Sequence, residues 1–257
     1  MIHQICLLLL DDRLFLAPVV DLGSKRVLDI GTGTGAWAID LANAYPATEI
    51  VGNDLSPSQL SWHPPNIQFI VDNTELEWVE PHPYDFIHSR NLAGSIRDWP
   101  NLVRQIYENL NPNGWVEFQE FTNTLYSSDG TLHNDNPLAL MMDGLTAACE
   151  KVGRTFHPAI SLKSWVEEAG FVDVEQRSVR VPIGSWPKDK KLKEIGVWTS
   201  ASLSEGFEAL TAVLFQDVLG WDAKELRALE RKVQVAVQQR QVHACMDFKI
   251  IFGRKPG

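Results

Sequence analysis

The chain has 257 residues, 44% hydrophobic and 22% charged, the balance of a soluble globular protein that can bury one sizeable core. Its formal net charge of −10 argues against nucleic-acid or anionic-membrane partners, which need clustered Lys and Arg. The basic stretch PKDKKLKE (Pro187 to Glu194) is short and interrupted by acids, and reads as a solvated face.

The opening segment MIHQICLLLLDDRLFLAPVV is apolar only from Ile5 to Leu10 and carries neither a basic leader nor a small-residue cleavage site. It is expected to be a buried helix, not a signal peptide or a membrane span. From Arg26 onward, apolar runs alternate with helical periodicity, the pattern of a parallel sheet covered by helices. RVLDI is a first buried strand and GAWAIDLANAY the helix that follows its glycine loop. EIVGND, IQFIVD and YDFIHSR are the second, third and fourth strands, ending in Asp54, Asp72 and Arg90. LVRQIYENL is an amphipathic helix stopped by NPNG, and GWVEFQEF is the fifth strand. Helices over LALMMDGLTAACEKVG and SLKSWVEEAG then flank a loop holding His157. VDVEQRSVRVPI is the sixth strand and HACMDFKIIFGRKP the last. A single domain over residues 1–257 is expected, with a helical cap inserted around 183–240 and the last two strands as a hairpin at the sheet edge.

Cys6, Cys149 and Cys245 lie far apart and the seven histidines are scattered singly. No structural zinc, other metal site or disulfide framework is expected, and a reducing compartment, the cytoplasm, fits.

The glycine run Gly31-Thr-Gly33-Thr-Gly35-Ala36 satisfies both the dinucleotide fingerprint and the tighter pattern of S-adenosylmethionine (SAM) sites. Either ligand would use the tight turn, the helix N-terminus and Asp54 as a ribose acceptor. Three features favour SAM. Asp29 stands just before the loop, where it suits an ammonium and repels a pyrophosphate. Asp72 closes the third strand, placed to accept from an adenine amino group. No Arg or Lys lies near the loop to balance two phosphates. Each acid also has a plainer reading: Asp29 as a turn cap, Asp54 as an N-cap, Asp72 in an Asx turn.

Together, VLDIGTGTGAWAIDLANAYP, VGNDLSPSQ, PPNIQFIVDNTE, YDFIHSRNLAGSIRDWPNL, NLNPNGWVEFQEF and HACMDFKIIFGRKP resemble the LaeA-like methyltransferases of filamentous fungi, HSRNLAGSIRDW being the most specific part. The resemblance implies a Rossmann-like class I methyltransferase fold, α/β, with a seven-stranded, mostly parallel sheet and a reversed last strand. It implies SAM as cofactor, surrounded by Gly31, Gly33, Gly35, Asp54, Asp72 and the loop at His88 to Asn91, which includes Arg90; the reading of the residues themselves adds Asp29, and Thr32, Leu55 and Asn73 complete the expected cofactor set. Relatives carry a longer acidic and aromatic arm before the first helix, and DDAE where this chain has Asp72, Asn73, Thr74 and Glu75. Adenine recognition through the backbone is expected to survive that change.

Methyl transfer is in-line displacement and needs a base only when the acceptor must lose a proton. His88 is the first candidate for the base, or else it pairs with a neighbouring carboxylate; His133, His157 and His243 are alternatives. Arg90 positions an acidic acceptor or holds its loop against Asp98. Trp186, Trp198, Phe207 and Trp221 wall an apolar acceptor pocket or belong to the core. The leading reading is O-methylation of a small secondary metabolite. Its alternatives are a regulatory protein in a nuclear complex, and a non-methylating member catalysing a rearrangement or cyclisation. The expected partners are the small-molecule acceptor and either a second copy of the chain or a regulatory protein.

Overall fold

The computed structural model describes residues 1–59, 62–79 and 82–257. The strands are β1 (Arg26–Ile30), β2 (Glu49–Asp54), β3 (Ile67–Val71), β4 (Tyr84–Arg90), β5 (Leu110–Phe121), β6 (Val172–Pro182) and β7 (Cys245–Arg254). The helices are α1 (Ile2–Leu9), α2 (Ala36–Ala44), α3 (Trp99–Glu108), α4 (Pro137–Lys151), α5 (Leu162–Glu168), α6 (Lys190–Glu205), α7 (Phe207–Thr211) and α8 (Ala223–Ala236), with a π-helical turn at Ala212–Val218 between the last two.

The strands form one sheet in the order β3-β2-β1-β4-β5-β7-β6. The pairs joining β1 to β2 and β4, β2 to β3, and β4 to β5 are parallel. β7 runs against β5: Thr122 N–H donates to Asp247 O and Lys255 N–H to Gly114 O, so one strand descends as the other climbs. The last two strands form one side of the sheet, with β7 inside and β6 outermost, but they are joined through α6, α7 and α8 and so are not the hairpin expected. Their burial agrees with that order, β7 being mostly buried and β6 mostly exposed.

Helix starts follow the local chemistry. Asp98 caps α3 by accepting from Asn101 N–H at 2.9 Å. Asn136 caps α4 with Pro137 in its first turn, and Asp222 with Glu225 forms a reciprocal capping box on α8.

The chain folds as two compact units. The sheet unit comprises Arg13–Glu120, Pro158–Arg177 and Lys249–Gly257. Its core packs Leu28, Ile30, Phe118 and Ile251 with Trp99, Leu102 and Val166 of the covering helices. The helical unit comprises Met1–Asp12, Phe121–His157 and Ser178–Phe248. It holds the helices expected between 183 and 240 together with α1 and α4, around Met141, Leu145, Phe207, Phe215 and Val233. Among the described residues no helix is long and apolar enough to cross a membrane.

Candidate cofactor site

Gly31, Gly33 and Gly35 all have positive φ, at 64°, 57° and 79°, a conformation that favours glycine. A Cβ at Gly31 would fall 2.3 Å from Leu92 Cδ2, and one at Gly35 2.5 Å from Phe69 Cζ. At Gly33 it would meet nothing within 4 Å, so this glycine presents bare backbone to open space. The loop is held from behind. Asp54 accepts from Gly33 N–H at 2.8 Å and from Ser56 N–H at 3.0 Å. Ser58 Oγ and Gln59 Nε2 donate to Gly33 O, and Asn53 takes the amides of Gly31 and Thr32. α2 opens immediately afterwards, with its free N–H groups directed toward the loop.

Beside the loop runs a cleft lined by Gly31, Asp54, Leu55, Asp72 and Asn73, with Leu92, Ser95 and Ile96 as its wall. The ends of β2 and β3 thus bring together the acids expected at the cofactor. Asp72 accepts from Asn73 N–H at 2.8 Å, and Asn73 Oδ1 from Glu75 N–H at 3.0 Å in an Asx turn. Among the described residues the lining includes carboxylates and no cationic side chain. Such a cleft suits hydroxyl and amino donors or a positive charge, and repels phosphate.

Behind the loop, strand register aligns a polar row across the sheet: Gly52 pairs with Asp29, Asp29 with His88, and His88 with Glu117. Paired residues of parallel strands share a face, so three ionisable side chains lie on one face of the sheet. Asp29 accepts from His88 Nδ1–H at 2.7 Å and from Thr32 Oγ1 at 2.6 Å. The His88 ring stacks on Trp37 at 3.8 Å, and Trp37 Nε1 donates to Leu14 O. Gln119 Nε2 donates to Glu117 and to Leu14 O, while Glu117 accepts from the amides of Leu16 and Ala17.

Burial lowers the His88 pKa, against the pull of Asp29 and with a smaller contribution from Arg90 at the end of β4. The same cause raises Glu117 to about 7 and Glu120 to about 8. His88 is completely buried and its Nδ1 donates to the Asp29 carboxylate. Thr32 turns its hydroxyl to Asp29 and away from the cleft. Glu117, Gln119 and Glu120 are buried polar residues outside the expected set; three polar residues in a central strand are a signal in themselves.

The helical unit has a cavity of about 380 Å³ lined by Asn123, Tyr126, His133, Asp143, Thr146 and His157 among others. His157 is pinned on both nitrogens: Nδ1 donates to Thr122 O, and Nε2 meets Thr146 Oγ1, each at 2.9 Å. None of the four aromatics expected to wall an acceptor pocket lines this cavity. Phe207 is core and Trp221 packs against that core, Trp186 stacks on His243, and Trp198 is exposed.

Residues 1–176 match the family model of a methyltransferase domain. The chain is 52% identical to methyltransferase pytC of Aspergillus terreus over 257 residues, covering 100% of this chain and 79% of that one. It is 35% identical to the secondary metabolism regulator LAE1 of Cochliobolus heterostrophus over 235 residues, 90% of this chain and 76% of that one. A solved structure of Haemonchus contortus phosphoethanolamine N-methyltransferase 2, with phosphomonomethylethanolamine and S-adenosylhomocysteine, superposes with a TM-score of 0.60 at 18% identity. That match covers 99% of this chain and 53% of the other, so the chain spans about half of that enzyme's length. The chain belongs to the methyltransferase-domain family and, within it, to the LaeA-like SAM-dependent methyltransferases of secondary metabolism.

Proposed function

We propose that this chain, acting as one methyltransferase domain, moves the methyl group of SAM to an oxygen of a small-molecule secondary metabolite. The observation that carries the cofactor assignment is the acidic, cation-free cleft beside an open Gly33. Asp54 accepts the two ribose hydroxyls, retaining lone pairs beyond those given to Gly33 and Ser56. Asp72 and the Asn73 backbone take the adenine edge, with Leu55 against its face. Asp29, its charge held under the loop by His88 and Thr32, attracts the ammonium of the methionine moiety. The bare backbone of Gly33 lets the ligand approach closely, with Gly31 and Gly35 shaping the turn. Arg90 supports the loop after β4.

SAM supplies, when bound, a sulfonium methyl that an oxygen takes by in-line displacement. His88 is here a positioning residue for Asp29, not the base. An enclosed His88 favours an acceptor that loses its proton readily, such as a phenol or a carboxylic acid.

The test is calorimetric titration of SAM and S-adenosylhomocysteine into wild-type protein and Asp54→Asn. Micromolar binding weakened at least about tenfold in the variant supports the reading; equal binding by both removes Asp54 from the site. The similarity to LAE1 favours a second reading, a regulatory protein that binds SAM inside a protein complex. Methylated product from an acceptor library supports the first; stable co-purification of protein partners with no product supports the second.

A further inference from the structure

We infer that Glu120 and Leu92 are positioning residues of the cofactor site, with Glu120 fixing the loop whose Leu92 side chain sets the resting place of Gly31. Glu120 is fully buried near the end of β5. A carboxyl group taken out of water needs partners, and its two hydrogen bonds are both to backbone amides, Leu92 N–H at 2.6 Å and Ala93 N–H at 3.3 Å. Among the described residues no cationic side chain is bonded to it. The loop it grips leaves sheet geometry at once, with Asn91 and Gly94 at positive φ, so β4 does not hold it in place.

That loop is a wall of the cleft. Leu92, Ser95 and Ile96 line it, and Leu92 Cδ2 lies 2.3 Å from where a Gly31 Cβ would be, pressed onto the bare Cα. The path is therefore short: the Glu120 carboxyl holds the Leu92 amide, and the Leu92 side chain braces Gly31 at the first turn of the glycine loop. Releasing the amide frees the wall and the brace together. This role accounts for a buried acid on a central strand whose bonds are both to loop amides.

The inference rests on the cofactor reading above, and one experiment separates the two. S-adenosylhomocysteine is titrated into wild type, Glu120→Ala, Glu120→Gln, Leu92→Ala and Val166→Ala. Val166 is a core control, fully buried in the sheet unit and outside the cleft lining. Glu120→Ala and Leu92→Ala are expected to raise Kd by about tenfold with stoichiometry unchanged. Glu120→Gln keeps an acceptor for the Leu92 amide and stays within about threefold of wild type. Val166→Ala lowers Tm yet stays within about twofold, which separates positioning from general loss of stability. The inference is overturned if both Glu120→Ala and Leu92→Ala bind like wild type, or if Val166→Ala binds as weakly as they do. Should Glu120→Ala fail to fold, Leu92→Ala decides, since it leaves the Glu120 side chain intact. Wild type that binds nothing removes the cofactor reading itself, a result distinct from any variant's.

Discussion

The two units bury polar groups in different ways. In the sheet unit the buried set includes Asp29, His88, Glu117, Gln119 and Glu120, ionisable or amide groups bonded across strands and to loops. In the helical unit the buried hydroxyls of Thr199 and Thr211 donate to the carbonyls of Ile195 and Phe207, four residues back in their own helices. The second habit satisfies a hydroxyl at little cost and shapes nothing beyond the helix. The first is expensive, because ionisable groups lose water, and its bonds go to loops: Asp29 to Thr32, Glu117 to Leu16 and Ala17, and Glu120 to Leu92 and Ala93. The contrast teaches that cost in this fold falls where side chains hold loop backbone in one place.

The largest effect expected from this contrast is in pH dependence. Glu117 and Glu120 have folded pKa values raised to about 7 and about 8 from 4.5. Folded protein keeps protons there that the unfolded chain has released. Their contribution to stability is full below about pH 4.5, falls as pH rises through about 8, and is constant above. Replacing both by Gln removes this term. Denaturant unfolding of wild type and the double variant should diverge by several kcal/mol, on the order of one proton per group, between about pH 5 and 8, with wild type losing. Parallel curves would show that burial does not hold these protons.

Next is His88→Ala. It leaves the Asp29 carboxylate with the Thr32 hydroxyl alone and opens a void beneath Trp37. A loss of about 3 kcal/mol is expected, which lowers Tm by roughly 6–12 °C. SAM affinity should fall with it, since Asp29 is no longer held. Retention of both Tm and affinity would make the row a passenger of strand register.

Much of the fold is legible in the sequence because its signals are local. Apolar runs ending in Asp54 and Asp72, the glycine run after RVLDI, and NPNG after an amphipathic helix each announce an element within about ten residues. The cleft acids follow from being at strand ends. The polar row does not. Asp29 and His88 stand 59 residues apart, and which residue faces which depends on a register that includes an irregularity between Tyr84 and Phe86. Glu120 is visible as a polar residue in a buried strand, but its role is not, since its partners are loop amides that no side-chain pattern reveals. The aromatics of the helical segment misled because helical spacing fits a core and a pocket wall alike.

A third, smaller effect tests whether the helical unit's tight contacts serve packing alone. A Cβ at Gly144 in α4 would lie 2.3 Å from Phe215 Cζ, as close as the Gly31 contact with Leu92. Gly144→Ala gains helix propensity of about 1 kcal/mol and suffers overpacking of about 1–3 kcal/mol. A net loss of about 1 kcal/mol is expected, with S-adenosylhomocysteine affinity unchanged. A stabilised variant would mean that Phe215 has room to move.

The smallest effect is the sharpest check on the contrast. Thr199→Val conserves volume and removes a hydroxyl whose one partner, Ile195 O, is a helix carbonyl. The acceptor keeps a lone-pair site in use within the helix, so nothing buried is left unsatisfied, and replacing a locally bonded polar group by an apolar one of the same shape is close to neutral. A change within about 0.5 kcal/mol is expected by denaturant unfolding. A loss of 2 kcal/mol or so would mean that this hydroxyl carries structural weight comparable to the buried groups of the sheet unit, and the division between the two units' polar groups would fail at its cheapest point.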